Sequence, residues 1–274
     1  MPHAHLLLID AQNDFCDHPA AACPPGQAPA LPVPGADADA QRVAALITQA
    51  QARLTGLTLT LDSHARFDIA HPPFWCQADG SAVPPFTPVR ATQVRAGQFR
   101  PVQAEALPRV LAYLETLEAQ GRYTHMVWPV HCEEGQWGHA LHPALAHACD
   151  AWAQHHGRPP LRITKGRNPW TEHYSAVQAE VPDPADPSTG PNAELLAALA
   201  PAAQIVVAGQ AASHCVRATV EHLLVMLPHP DRLVLLRDGM GAVSGFEAEA
   251  ARFLANAQAQ GARVMRCAEW LAGA

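Results

Sequence analysis

The sequence predicts an α/β protein built on a doubly wound, six-stranded parallel sheet with helices on both faces. Three observations carry that expectation. Short apolar runs of strand length recur along the 274 residues, helix-length segments separate them, and each run stops at or near a residue able to do chemistry. The runs are Leu6–Ile9 before Asp10, Leu57–Leu61 before Asp62 and His64, His125–Val130 before His131, and Leu161–Thr164 before Lys165. Ile205–Ala208 then leads through Gly209 to Cys215, and Leu233–Leu236 precedes Asp238. In such sheets ligands bind beyond the carboxyl ends of the strands, so these residues should converge on one rim.

Between the runs, residues 19–35 are rich in Pro, Ala and Gly and read as a loop, and Val43–Leu54 shows helical spacing with Leu46, Ile47 and Leu54 on one face. Pro72–Phe99, with its prolines and aromatics, reads as an irregular cover over the strand ends. Ala104–Gln120 is a helix because Leu107, Val110, Leu111, Leu114 and Leu117 recur at three- and four-residue steps before Gly121. Ala140–His155 is a second helix. The proline-dense Val181–Pro191 is a loop, and Asn192 is the N-cap of Ala193–Leu199. Val216–Met226 and Phe246–Gln260 complete the helices. The alternation runs from end to end, which predicts one domain over residues 1–274 with a helix-bearing insertion around 72–123.

A net charge of −7 argues against nucleic acid or an anionic membrane surface as partner. No stretch approaches the roughly 20 apolar residues that span a bilayer. The first residues, Met1 to His5, lack the basic region and cleavage site of a secretory signal. Seven cysteines without a C-x-x-C pair fit reduced thiols in a cytoplasmic protein, most of them small buried hydrophobes.

Cys215 stands apart because a strand runs through small residues (Gly209, Ala211, Ala212 and Ser213) into its helix. A helix start favours a thiolate, and small residues let backbone N–H groups approach a substrate oxygen. Asp10 can take a thiol proton and return it to a leaving amine, and the Lys165 ammonium favours both charges. Each has an ordinary reading alone: a buried small residue, a turn cap, a solvated surface charge. Those readings do not account for all three falling on one sheet edge. Asp62 and His64, two apart in an extended segment, point the same way and can grip one ion, with His131 as third ligand. That set suits Zn²⁺, Fe²⁺ or Mn²⁺ with positions left open. Among the 16 histidines, His3, His18, His139, His142, His147, His155, His156, His222 and His229 read as surface or helix positions.

Together, Asp10-Ala-Gln-Asn-Asp-Phe15, Asp62-Ser-His64, Trp128-Pro-Val-His-Cys132, Lys165-Gly166 with Tyr174-Ser-Ala176, and Gly209–Val216 resemble the isochorismatase-like cysteine hydrolases, nicotinamidase/pyrazinamidase branch. The resemblance covers most of the chain, and its motifs occur in the family's order. It implies six core strands, the last from Val264–Cys267, with His125–Val130 becoming an extra extended piece near the site. It implies Asp10, Lys165 and Cys215 as catalytic residues, and Asp62, His64 and His131 as ligands of one divalent metal, zinc first. Phe15, Trp128 and Tyr174 would bind substrate, and a cis Gln210–Ala211 peptide would precede an oxyanion hole of the Ala211 and Cys215 N–H groups. The implied reaction is hydrolysis of a small planar amide, nicotinamide first, through a Cys thioester, by a homo-oligomer acting in NAD salvage.

The chain departs from the pattern at Ser213, where the family carries an acid, and in the 72–123 insertion. His71 reads either as a further ligand or as a loop histidine held by Pro72 and Pro73. Two alternatives therefore stand beside the amidase: a hydrolase of another amide, ureide or carbamoyl compound, and a non-catalytic ligand-binding protein.

Overall fold

The computed structural model describes residues 3–273. The first strand, β1 (Ala4–Ile9), is buried at all six positions, so its residues alternate between two cores rather than between core and solvent. Leu6 and Leu8 join one apolar cluster, Leu7 and Ile9 the other. Helix α1 (Ala36–Gln49) begins well before the expected Val43. Gly35, in the left-handed region at φ +84°, turns the chain into it, and Asp37 and Asp39 sit favourably in its first turn. Leu54 is not part of that helix; it opens β2 (Leu54–Asp62) as the pairing partner of Ala4.

The stretch expected to be irregular, Pro72–Phe99, is structured. It contains β3 (Trp75–Gln77), β4 (Thr87–Val89), α2 (Ala91–Arg95) and the start of β5 (Phe99–Pro101), followed by α3 (Leu107–Gln120) and β6 (His125–Val127). β3 pairs with β5 and β4 with β6, both antiparallel. These pieces close on their own core, which includes Phe74, Trp75, Val89, Val110, Leu114 and Leu117. Three-residue strands leave no readable period, so the sequence hides them. α3 begins at Leu107 rather than Ala104, after a separate three-ten turn, and Gly121 ends it at φ +66°. Its buried face is Val110, Tyr113, Leu114 and Leu117; Leu107 is exposed and Leu111 half-buried.

The chain then alternates through α4 (Pro143–His156), β7 (Leu161–Lys165), α5 (Ala193–Leu199), β8 (Gln204–Gly209), α6 (Cys215–Met226), β9 (Leu233–Leu236), α7 (Glu247–Ala259), β10 (Arg263–Met265) and α8 (Cys267–Leu271). α4 starts at Pro143, not Ala140, because His142 caps it and accepts the Ala144 N–H. The Asn192 side chain caps α5 by accepting the Leu195 N–H at 2.9 Å. The last strand stops at Met265, and Cys267 opens a short helix that the sequence did not reveal.

Six strands form one parallel sheet in the order β10-β9-β8-β1-β2-β7. α1, α4 and α8 cover one face through Leu46, Ile47, Trp152 and Trp270; α5, α6 and α7 cover the other through Leu195, Val220 and Phe253. From β1 the chain builds outward through β2 and β7 on one side and through β8, β9 and β10 on the other. β1 and β8 therefore flank the point where the strand order reverses, the place where such sheets bind ligands. Asp10 directly follows β1, and the loop to Cys215 leaves β8. Gly209 makes this junction close: a Cβ there would lie 1.9 Å from the Ile9 carbonyl oxygen.

All seven cysteines are free thiols, with Cys23 and Cys76 only half-buried rather than core. His142 is buried rather than on the surface; it stacks on His18, and both face Asp37. Among the described residues, no helix is long and apolar enough to cross a membrane.

Candidate active site

Lys165 ends β7 in register with Asp62 at the end of β2, which brings both to the rim. Its Nζ lies 2.8 Å from Asp10 Oδ2 and 2.9 Å from Asp62 Oδ1, and it donates to the His173 carbonyl at 2.9 Å. The same ammonium stands 3.6 Å from Cys215 Sγ. The three expected residues therefore meet. Thr60, a position the sequence reading passed over, donates to Asp10 Oδ1 at 2.5 Å and aims its carboxyl. Gln12 was also missed: its amide bridges both the N–H and the C=O of Asp62 at 2.8 Å, tying the β1 turn to the end of β2.

Burial dominates the electrostatics. It raises the Asp10 carboxyl above its ordinary value, with Lys165 pulling the other way and Asp62 adding to the rise. Burial also opposes the Lys165 charge, but Asp10 and Asp62 hold that ammonium well above the usual lysine value. For Cys215, burial pushes the thiol well up, Lys165 opposes it, and Asp10 and Asp62 reinforce it. Burial thus opposes the thiolate that a helix start alone would favour. The proton has an acceptor in place, because Asp10, Asp62 and Cys215 offer atoms within 4.8 Å of one another. The group titrates as a unit.

Cys215 is the first residue of α6, and the Gln210–Ala211 peptide before it is cis. Ala212 donates to Gly241 O, while His214 and Val216 both donate to Ala211 O. Among the described residues, no hydrogen bond takes up the N–H of Ala211 or of Cys215. Two free donors beside a thiol can receive a developing oxyanion. Ser213 accepts the Val243 N–H at 3.1 Å and lies 2.9 Å from His214 Nδ1, so it faces the loop after β9.

Cys215 opens on a narrow cavity whose walls include Phe15, Trp128, Tyr174, His131, His214 and Glu172. Trp128 Nε1 donates to the Tyr174 hydroxyl at 3.0 Å, which fixes the two rings against each other. Such faces suit a flat aromatic guest. His214 and Glu172 were not anticipated. Glu172 is buried in a loop without periodicity; burial, partly offset by His64 and reinforced by Asp62, raises its carboxyl to about 8.

Beyond Asp62 the cavity ends in a histidine corner. Asp62 Oδ2 lies 3.2 Å from His64 Nε2 and 3.5 Å from His131 Nε2. His64, His71 and His131 each offer a ring nitrogen within 4.8 Å of the others, so His71 joins the cluster rather than standing apart in its loop. His64 Nδ1 faces Asp68 at 3.1 Å and His131 Nδ1 faces the Pro129 carbonyl at 2.8 Å, which leaves both Nε2 lone pairs turned toward Asp62. His64 Nε2 and His71 Nδ1 are buried without a hydrogen-bond partner. Two imidazole Nε2 atoms converging on one carboxylate, with their Nδ1 edges turned to Asp68 and the Pro129 carbonyl, form a donor set that fits a divalent cation. Burial would raise Asp62, yet His64 and Lys165 hold it well below the carboxylate range.

No family model and no curated protein matches the sequence. Solved structures do match the architecture. The yeast nicotinamidase bound to the inhibitor nicotinaldehyde superposes with a TM-score of 0.65 at 16% identity, covering 96% of this chain and 99% of that one. A pyrazinamidase of Pyrococcus horikoshii in complex with zinc gives 0.54 at 19% identity over 97% and 99%. An isochorismatase-like hydrolase from Alkaliphilus metalliredigens gives 0.54 at 15% identity over 98% of each chain. This is the isochorismatase-like hydrolase fold. Within that fold, the chain carries the Asp10, Lys165 and Cys215 side chains on the rim where β1, β7 and β8 end.

Proposed function

We propose that the chain is a metal-dependent cysteine amidohydrolase of the isochorismatase-like family whose first substrate is nicotinamide. The observation that carries this reading is the single ammonium of Lys165 beside both Asp10 and Cys215, at the mouth of an aromatic cavity. Phe15, Trp128 and Tyr174 hold a planar ring. Asp62, His64, His71 and His131 would hold a divalent ion, zinc first with iron or manganese as substitutes, which supplies a Lewis-acid anchor for a ring nitrogen.

Asp10 accepts the Cys215 proton while Lys165 balances the negative charge left on the pair. The sulfur attacks the carboxamide carbon, and the oxyanion turns to the Ala211 and Cys215 N–H groups. Asp10 passes its proton to the nitrogen, the C–N bond breaks and ammonia leaves. Water, deprotonated by Asp10, then attacks the thioester, releasing the carboxylic acid and restoring the thiol. The nicotinamidases that share the fold, one bound to nicotinaldehyde, support this substrate class. Free thiols throughout fit a reducing compartment, and a cytoplasmic homo-oligomer acting in NAD salvage follows from the same reading.

Purified protein should release ammonia from nicotinamide, lose that activity to a chelator, and regain it with added zinc, iron or manganese. Full activity in a sample shown to be metal-free would exclude the role given to Asp62, His64, His71 and His131. Ser213 favours a second reading with another small amide, ureide or carbamoyl compound, because it replaces an acid near the nucleophile. Ammonia from such a compound, and none from nicotinamide, would select it.

A further inference from the structure

One buried carboxylate in the cavity is left out of the mechanism. Glu172 is 4% exposed and lines the same cavity as Asp62, His131 and Cys215. Its Oε1 accepts the His173 N–H at 3.0 Å, whereas Oε2 is buried with no hydrogen-bond partner. A buried carboxyl oxygen without a partner is costly, and water held on a cation in this cavity would supply its donor. Lys165, the cation on this rim, is already shared among Asp10, Asp62 and the His173 carbonyl. The four proposed ligands bring three imidazoles and a single carboxylate. A divalent ion held by them keeps an uncompensated positive charge and, at five or six coordination, keeps water.

We propose that Glu172 is a positioning residue of the metal centre: its free Oε2 accepts a hydrogen bond from water on the cation and so settles which position is left for a substrate ring nitrogen. This rests on the metal-binding reading above and adds to it an outer carboxylate. Asp68 plays the matching part on the protein side, facing the Nδ1 of His64 at 3.1 Å. Outer partners of this kind typically change metal affinity or activity by about 10–100-fold when removed.

The test is a titration of metal-stripped wild type and Glu172→Gln with cobalt(II) and with zinc against a chromophoric chelator. The glutamine keeps the shape and replaces the ionisable carboxyl with a neutral amide. We expect about tenfold or greater loss of affinity, an altered cobalt d–d spectrum, and a cooperative melting transition for both metal-free proteins. Nicotinamide should show a raised KM in the variant, and benzamide, which lacks the ring nitrogen, no change. If Glu172→Gln does not fold, Glu172→Asp, which withdraws the oxygen by one methylene, is titrated instead with the same expectation. Wild type that takes up no metal would overturn the metal reading and this proposal together. Wild type that binds metal, with a variant matching it in affinity within twofold and in spectrum, would overturn the role of Glu172 alone.

Discussion

At Lys165 one ammonium meets two carboxylates and a thiol, all out of solvent, so each partner is tolerable only because the others are present. Breaking such a buried set by deleting one member typically costs about 3–5 kcal/mol, since the remaining charges stay buried unpaired. Lys165→Met in metal-free protein should lower the unfolding free energy by that amount, read as a lower urea midpoint, as Asp10 and Asp62 are left facing each other. Cys215→Ala removes only a small group at the cavity edge and should leave the midpoint nearly unchanged. Its ammonia release should drop below about a thousandth of wild type, because nucleophile and base act as a unit. Equal stability of Lys165→Met and wild type would show that the charges do not share one enclosure. Residual turnover in Cys215→Ala near wild type would remove the covalent route.

At the scale of elements, the site depends on how tightly β8 passes β1. Gly209 has φ +119°, and an added Cβ would collide with the Ile9 backbone, which no rotamer change relieves. Gly209→Ala should therefore push the β8 end outward, lower the melting temperature by several degrees and slow turnover far more than an alanine at the exposed Gly245. Activity and melting matching wild type would contradict the close approach. β1, β2, β7 and β8 were legible as apolar runs that stop at or lead to a functional residue, as Leu161–Thr164 stops at Lys165, whereas the half-buried β10 was carried only by the family resemblance. The layer around Trp75 was not, because its strands are three residues long and its apolar side chains serve a separate core. Residues acting through others left still less trace. Thr60 reads as an ordinary strand residue until Asp10 is seen against it, and Glu172 sits in a loop with no period to mark it. The spacing of His71 from His64 fits no clean ligand pattern, and only the folded 65–75 segment brings it to His131.

Across the whole molecule, buried neutral histidines set the response to acid. Burial lowers His5 and His125 to about 4, and His173 and His214 to about 3. Their unfolded value is 6.5, so below that pH the unfolded chain takes up protons that the folded chain refuses. The stability these four supply is complete above 6.5 and is lost as pH falls toward 3–4. Two buried acids act in the opposite sense: burial raises Glu172 to about 8 and Glu180 to about 7, so they favour the folded state as pH drops from those values toward 4.5. These histidines, joined by His222 at about 4 and His71 at about 2, outnumber the two acids and leave a net loss between pH 6.5 and 5, each fully buried histidine worth up to about 1.4 kcal/mol per pH unit. Urea melts at pH 7 and pH 5 should show lower stability at the lower pH. The slope should flatten in His125→Gln, whose ring now lies between Tyr113 and the Ile69 carbonyl. A curve that is flat or rises toward pH 5 would mean that the buried carboxyls, not the imidazoles, govern the acid response of this fold.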